Sequence, residues 1–355
     1  MRKLASVQKI KAVTPIKNAD RIELVHVLGW QCVAKKGEFK PGDYCVYFEI
    51  DSFLPIRPEF EFLRASSYKN SELLGEGFRL RTQTFRGEIS QGLCLPASTF
   101  PELWYDEIEH MNCVVPCEGQ DVTEKLGVRK FEIPERATSD GTVMGLLPDS
   151  IPTTDEIRIQ AMPELLQEFA GKEYYISTKM DGSSHSIGFD ADGFHATGHS
   201  YEFKDDGKSS FYNFIRKRGF DKKLEEFKNN HNCSSVAVQG EFCGPGMQGN
   251  RLKLEKPEWY VFDVRIDGKR VPLKEMLKTA EMLGMVTVPI EEIGTDLPNK
   301  YPDINALLKR ADGKYPNGGP KEGIVIRTTS PVYSFVLNAD LSMKVINNKY
   351  LLKHE

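Results

Sequence analysis

YYISTKMDG, residues 174–182, decides how the rest of the chain is read. Aromatic and β-branched residues fill 174–178 and the run stops at Asp181-Gly182, a turn pair, so the pattern is a strand with Lys179 at its end. In the plainest reading this is a strand closing in a solvated turn. In the chemical reading K-x-D-G presents an amine at the rim of a sheet, placed to attack a phosphorus centre and hold the adduct for a second transfer. A free lysine has a pKa of about 10.4, so such a nucleophile needs nearby cations or a metal to favour the neutral amine. Other groups must accompany it.

They follow in order along the chain. Glu241 lies in QGEFCGPGMQGNRL (239–252), a strand end running into a Gly-rich loop; WYVFDVR (259–265) offers Phe262 as a flat face for a base. EGIVIR (322–327) opens with Glu322, and SMKVINNKY (342–350) carries Lys344. Taken singly, these are strand-edge charges, a core ring and a solvated cation. Around them helical spacing marks 157–169, 210–230 and 272–284, and strand patterns mark 174–180, 235–242, 259–266 and 323–329. The domain they form is α+β.

Residues 1–128 read differently. Short β-rich runs at 23–36, 43–50, 78–85 and 92–96 are separated by turns such as KPGD (40–43), the signature of a small barrel or sandwich. Arg79, Arg81, Phe85 and Arg86 sit on one such stretch, where cations and a ring suit a polynucleotide. Residues 129–155, with Pro134, Pro148 and Pro152, lose periodicity and read as a linker, leaving 156–355 as the second domain.

Composition sets the outer limits. With 355 residues, 40% hydrophobic and 28% charged, the chain has material for two cores. No apolar run reaches the roughly 18 residues of a membrane span and the N-terminus lacks a signal-peptide core, so a cytoplasmic protein with no membrane partner is expected. Seven cysteines, an odd number, fit a reducing compartment. Cys113 and Cys117 form a lone C-x3-C pair without the partners of a zinc site. His195 and His199 lie about 13 Å apart on a strand, too far to share a metal. The net charge of −4 excludes a uniformly basic nucleic-acid coat but not a local basic groove.

The ordered set Lys179, Glu241, Phe262, Glu322 and Lys344 resembles the motifs of the covalent nucleotidyltransferases, the superfamily of polynucleotide ligases and capping enzymes. VLGWQCVAKKGEFKPGDYCVYFEIDSFLP (27–55), RGEISQGLCLP (86–96) and QGEFCGPGMQGNRL narrow the resemblance to the ATP-dependent RNA ligases with an N-terminal OB module, the fifth RNA ligase family. Few residues follow Lys344, so the barrel precedes the catalytic domain instead of following it as in DNA ligases and capping enzymes.

The resemblance implies an OB-like β-barrel followed by an ATP-grasp-like adenylyltransferase domain with antiparallel sheets and flanking helices. It implies that Lys179 takes AMP from ATP, passes it to an RNA 5′-phosphate, and that a 3′-OH displaces it, at nicks in a duplex. Arg158, Gln160, Glu241, Phe262, Glu322 and Lys344 are the implied nucleotide contacts. Asp181, Glu241 and Glu322 are the implied holders of hydrated Mg2+ or Mn2+, and a monomer is the expected state. Two positions depart from the family pattern: His199 stands where an Arg is usual, and Ser342 where a second Lys precedes Lys344. A capping-type guanylyltransferase and a non-catalytic RNA-end-binding protein are the alternatives.

Overall fold

The computed structural model describes residues 2–104, 117–131 and 143–354. The chain forms two compact units: Met1–Pro134 with Gln160–Pro163 and Leu351–Glu355, and Glu135–Ile159 with Glu164–Tyr350.

The first unit is built from short antiparallel strands. Tyr44–Phe48 runs between Ala5–Lys9 and Leu93–Pro96, and Ile22–Val27 forms a meander with Ala12–Pro15 and Trp30–Lys35. The KPGD turn closes as its sequence demands, with Gly42 at φ +93° and the Asp43 N–H bonded to the Lys40 carbonyl at 3.1 Å. Inward side chains meet in one core that includes Val7, Val46, Phe48, Phe60, Phe78 and Phe100. Phe48 and Phe60 pack edge to face with centroids 5.3 Å apart.

Among its described residues the second unit has two main sheets, antiparallel but for Val286–Thr287 beside Glu258–Ile266, and a two-stranded one of Tyr333–Ser334 with Ala339–Asp340. The larger orders Val143–Leu146, Tyr201–Phe203, Phe194–Thr197, Ser183–Phe189, Val236–Cys243, Glu258–Ile266 and Lys269–Arg270. The smaller orders Ile290–Thr295, Glu173–Lys179, Gly323–Thr328 and Ser342–Ile346. Alternation divides the faces of the larger sheet: Ile187, Val238, Phe242, Trp259 and Val261 join a core with residues of the helices Ser210–Arg218, Phe220–His231 and Leu273–Leu283. Ser184, Glu241 and Phe262 lie off that core and line a cavity.

Two helix readings need adjustment. The helix read over 157–169 is only a 3-10 turn at Ile159–Ala161 and one helical turn at Leu165–Glu168, because Pro163 has no N–H to give a continuous helix. The helix read over 210–230 is two helices, parted by Gly219 at φ +65° in the left-handed conformation that ends a helix. The linker reading of 129–155 covers two strands, Arg129–Lys130 and Val143–Leu146; its Pro134 lies outside the described residues, as does Cys113.

Candidate active site

Register places the first two groups. Lys179 closes its strand opposite Gly323, which brings the preceding Glu322 beside the amine: Nζ lies 2.9 Å from Glu322 Oε1. The buried Tyr315 hydroxyl ties the same two residues through their backbones, donating to the Lys179 carbonyl at 2.8 Å and accepting the Glu322 N–H at 3.1 Å. One position earlier, Glu291 does the same through side chains, accepting from Thr178 Oγ1 at 2.7 Å and from Lys321 Nζ at 2.6 and 2.8 Å.

The motif glycines are required by close approach. A Cβ on Gly182 would collide with the Phe242 carbonyl, and one on Gly323 with the Val345 carbonyl. Gly182 also donates its N–H to Glu241 Oε1 at 3.2 Å, linking K-x-D-G to the QGEFCGPGMQGNRL stretch. A register shift between Gln239 and Gly240 precedes Glu241 in its strand, the kind of irregularity that re-aims a side chain.

Lys179, Glu241, Phe262, Lys344 and His199 line one cavity of about 140 Å³, together with Val325 and Arg327. Arg158 is bridged to Lys344 in parallel, the Lys344 N–H meeting the Ile157 carbonyl at 2.8 Å, but does not line the cavity. Gln160 belongs to the first unit, where its carbonyl accepts the Gly29 N–H at 2.8 Å; its side chain is buried. Asp181 is 4% exposed and held by Arg251 Nη1 at 2.7 Å, the same nitrogen bonding the Tyr350 hydroxyl at 3.0 Å. His199 Nε2 is 3.6 Å from Asp155.

The first unit holds the remaining candidates. The strand Gly75–Arg79 ends before Arg81. Arg79 lies 4.3 Å over the Phe131 ring, whereas Arg81, Phe85 and Arg86 are exposed.

The electrostatics run against the simplest form of a lysine nucleophile. Burial alone would lower the Lys179 pKa, but Glu322, Glu241 and Asp181 outweigh it and hold the amine above its ordinary value, hence protonated at neutral pH. Glu241 is pushed up to about 7, first by burial and then by Glu322 and Asp181, against the attraction of Lys179. Among the described residues no three His, Cys, Asp or Glu side chains stand close enough to grip a metal directly. The donor set nonetheless fits a hydrated hard cation: three carboxylates share one lysine, and a divalent ion held through water would relieve their repulsion and free the amine.

Several participants were not singled out in the sequence, although Arg327 and Arg251 lie within quoted motif stretches. Arg327, 4% exposed, pairs with Glu156 at 2.6 Å, donates to the Phe262 carbonyl at 2.7 Å and lies 5.3 Å from the Phe262 ring. Period two along EGIVIR puts it on the face of Val325, the signal that would have found it. Glu156 also accepts from the Ser342 hydroxyl, so the serine at the family's lysine position is part of this network. Tyr315 and Glu291 leave no local pattern.

A barrel unit together with a sheet-rim lysine, flanking carboxylates and a ring-lined cavity defines a nucleotidyltransferase of the polynucleotide-joining class. Family models agree: residues 4–97 match an OB-fold domain and residues 172–346 an RNA ligase. The Naegleria gruberi RNA ligase with PPi is similar at 32% identity and TM-score 0.86, covering 100% of this chain and 99% of that one. Its lysine-to-alanine mutant with ATP and Mn matches at 31% and 0.84, over 99% of both chains. A glutamate-to-alanine mutant with AMP and Mn matches at 32% and 0.83, again over 99% of both. No curated protein sequence matches the chain. The chain belongs to the RNA ligase family, with an N-terminal OB-fold module, and is an enzyme that forms phosphodiester bonds.

Proposed function

We propose that the chain is an ATP-dependent ligase that joins an RNA 3′-OH to a 5′-phosphate at nicks held by a complementary strand. The observation that carries this reading is Lys179 at its strand end, 2.9 Å from Glu322, on a cavity that Phe262 and Lys344 also line. In the first step Lys179 Nζ, having lost its proton, bonds to the α-phosphorus of ATP as the bond to the β-phosphate oxygen breaks and pyrophosphate leaves. In the second a 5′-phosphate oxygen takes AMP from the lysine. In the third the 3′-oxygen attacks that phosphate and AMP departs, leaving the phosphodiester.

Phe262 supplies a face for adenine, Lys344 a cation for the α-phosphate, and Arg158 and Gln160 further nucleotide contacts. Asp181, Glu241 and Glu322 would hold a hydrated divalent cation, which supplies charge neutralisation on the triphosphate. The similar Naegleria gruberi RNA ligase structure with ATP and Mn supports ATP and Mn2+ or Mg2+ here. Residues 1–128 are proposed as the RNA-binding module, 129–155 as linker and 156–355 as the catalytic domain. Arg81, Phe85 and Arg86 are its RNA contacts, and His199 a contact for the strand end; Arg79 is committed to Phe131. The six described cysteines are free, which supports a reducing compartment, and no described helix is long and apolar enough to cross a membrane. A monomer suffices for the reaction, since the proposed step-one groups all belong to one chain.

Radiolabelled ATP with Mn2+ is expected to label the protein covalently, and Lys179→Ala to abolish the label. Retained label in that variant overturns the nucleophile; labelling from GTP in place of ATP overturns the ligase reading for a capping-type transfer.

A further inference from the structure

The first unit has a cavity that the joining chemistry does not use. It measures about 320 Å³, within the size range of small-molecule sites, and is lined entirely by residues of this unit. Phe62 and Phe85 stand on its wall at 60% and 39% exposure, beside Ser66, Ser67, Gln83 and Ser90. Two exposed rings beside a mainly aliphatic lining that includes Leu63, Leu80 and Leu93 are a poor surface to leave in water and a good one for an unstacked heterocycle.

Charge points to the same kind of occupant. Most guanidinium groups in this chain are committed: Arg2, Arg57, Arg216, Arg251, Arg270 and Arg327, among others, are paired with carboxylates. Arg81, Arg86 and Arg21 make no ion pair or hydrogen bond from the guanidinium among the described residues, and all three belong to the first unit. Arg81 and Lys35 line the cavity. Ile22, opposite Lys35 in register, also lines it, and Arg86 follows Phe85 at the tip of the hairpin Gln83–Phe85/Glu88–Ser90. Glu38 is the lone carboxylate on the lining among the described residues, and it accepts the Lys35 N–H at 3.2 Å. Cations spaced around a ring-walled pocket match phosphates spaced around a base.

We infer that this cavity is a receptor for an unstacked nucleobase of a single-stranded RNA segment, with Phe62 and Phe85 gripping the base and Arg81, Arg86 and Lys35 meeting the flanking phosphates. The inference rests on the RNA ligase reading but concerns a subsite apart from the cavity of Lys179. It specifies that the unit reads bases as well as backbone.

The test uses the full chain and two fluorescent ten-nucleotide RNAs, one of uridines and one with a central abasic stretch of the same charge. Wild type is expected to prefer the base-bearing RNA by roughly five- to tenfold. Phe85→Ala should erase that preference, Phe85→Trp restore it with quenching of the new indole, and Arg81→Ala weaken both RNAs while lowering the salt slope by about one. Thermal melts verify that each variant is folded. Equal binding of the two RNAs by wild type, or an unchanged preference in folded Phe85→Ala, overturns the receptor. Loss of self-association instead of RNA affinity assigns the face to a second copy of the chain and also overturns it. Labelling of wild type by radiolabelled ATP is measured on the same preparation: its absence counts against the ligase reading alone, because the base preference is scored without nucleotide.

Discussion

Tyr315 shows how much of the site is held by a single hydroxyl. It bridges the Lys179 carbonyl and the Glu322 N–H, 136 and 7 residues away, and fixes the nucleophile strand against the strand that follows Glu322. Tyr315→Phe removes both bonds without opening a cavity, leaving a buried carbonyl and N–H unmatched at a cost of about 1–3 kcal/mol. The expected result is a lower urea midpoint and slower labelling by ATP, both read on the same folded variant. Lys179, Glu241, Phe262, Glu322 and Lys344 were legible in the sequence because each sits in a motif whose order is itself informative. Tyr315 and Arg251 were not, since their partners lie far along the chain: Arg251 meets Asp181 across 70 residues. Ser342 was visible only as a departure, and its hydrogen bond to Glu156 gives it a place.

At the level of elements, runs of β-branched and aromatic residues predicted the central strands well, because both sheets bury them. The strands Ser183–Phe189 and Tyr201–Phe203, both paired on two sides, are rich in Ser, His, Gly and Glu, and owe their pairing to neighbours more than to propensity. The helical readings erred where one residue overrides periodicity, at Pro163 and Gly219. Gly219 serves as C-cap of Ser210–Arg218 and N-cap of Phe220–His231 at φ +65°, with open space where a Cβ would go. Gly219→Ala therefore meets backbone strain and no clash, and should cost about 1 kcal/mol, measured by urea unfolding. A much larger loss would mean that the two helices also depend on a packing contact at the junction.

At the scale of the whole molecule, stability should carry a pH signature from His195. Its ring lies between Glu202 at 2.7 Å and Asp190 at 2.9 Å, and Asp190 in turn takes the Ser150 hydroxyl at 2.6 Å. Burial by itself would lower the His195 pKa, but the two carboxylates outweigh it and raise it. A raised folded pKa means that the stabilisation is complete below the unfolded value of about 6.5 and is lost as pH rises through the folded value. The gap in melting temperature between wild type and His195→Asn is expected to narrow from pH 6 toward about pH 9; a gap that widens would contradict the sign.

The division of the chain has a consequence for how such a protein can be taken apart or recombined. Unit one is not a contiguous cassette: besides its long N-terminal segment it includes Gln160–Pro163 and Leu351–Glu355. The Gly29 N–H on the Gln160 carbonyl is one stitch of this seam. A recombination that exchanged only the N-terminal segment would import a barrel and leave its seam strips behind in foreign sequence. The three segments of unit one are therefore obliged to change together, and grafting a new recognition module onto this enzyme means carrying those two short strips along with it.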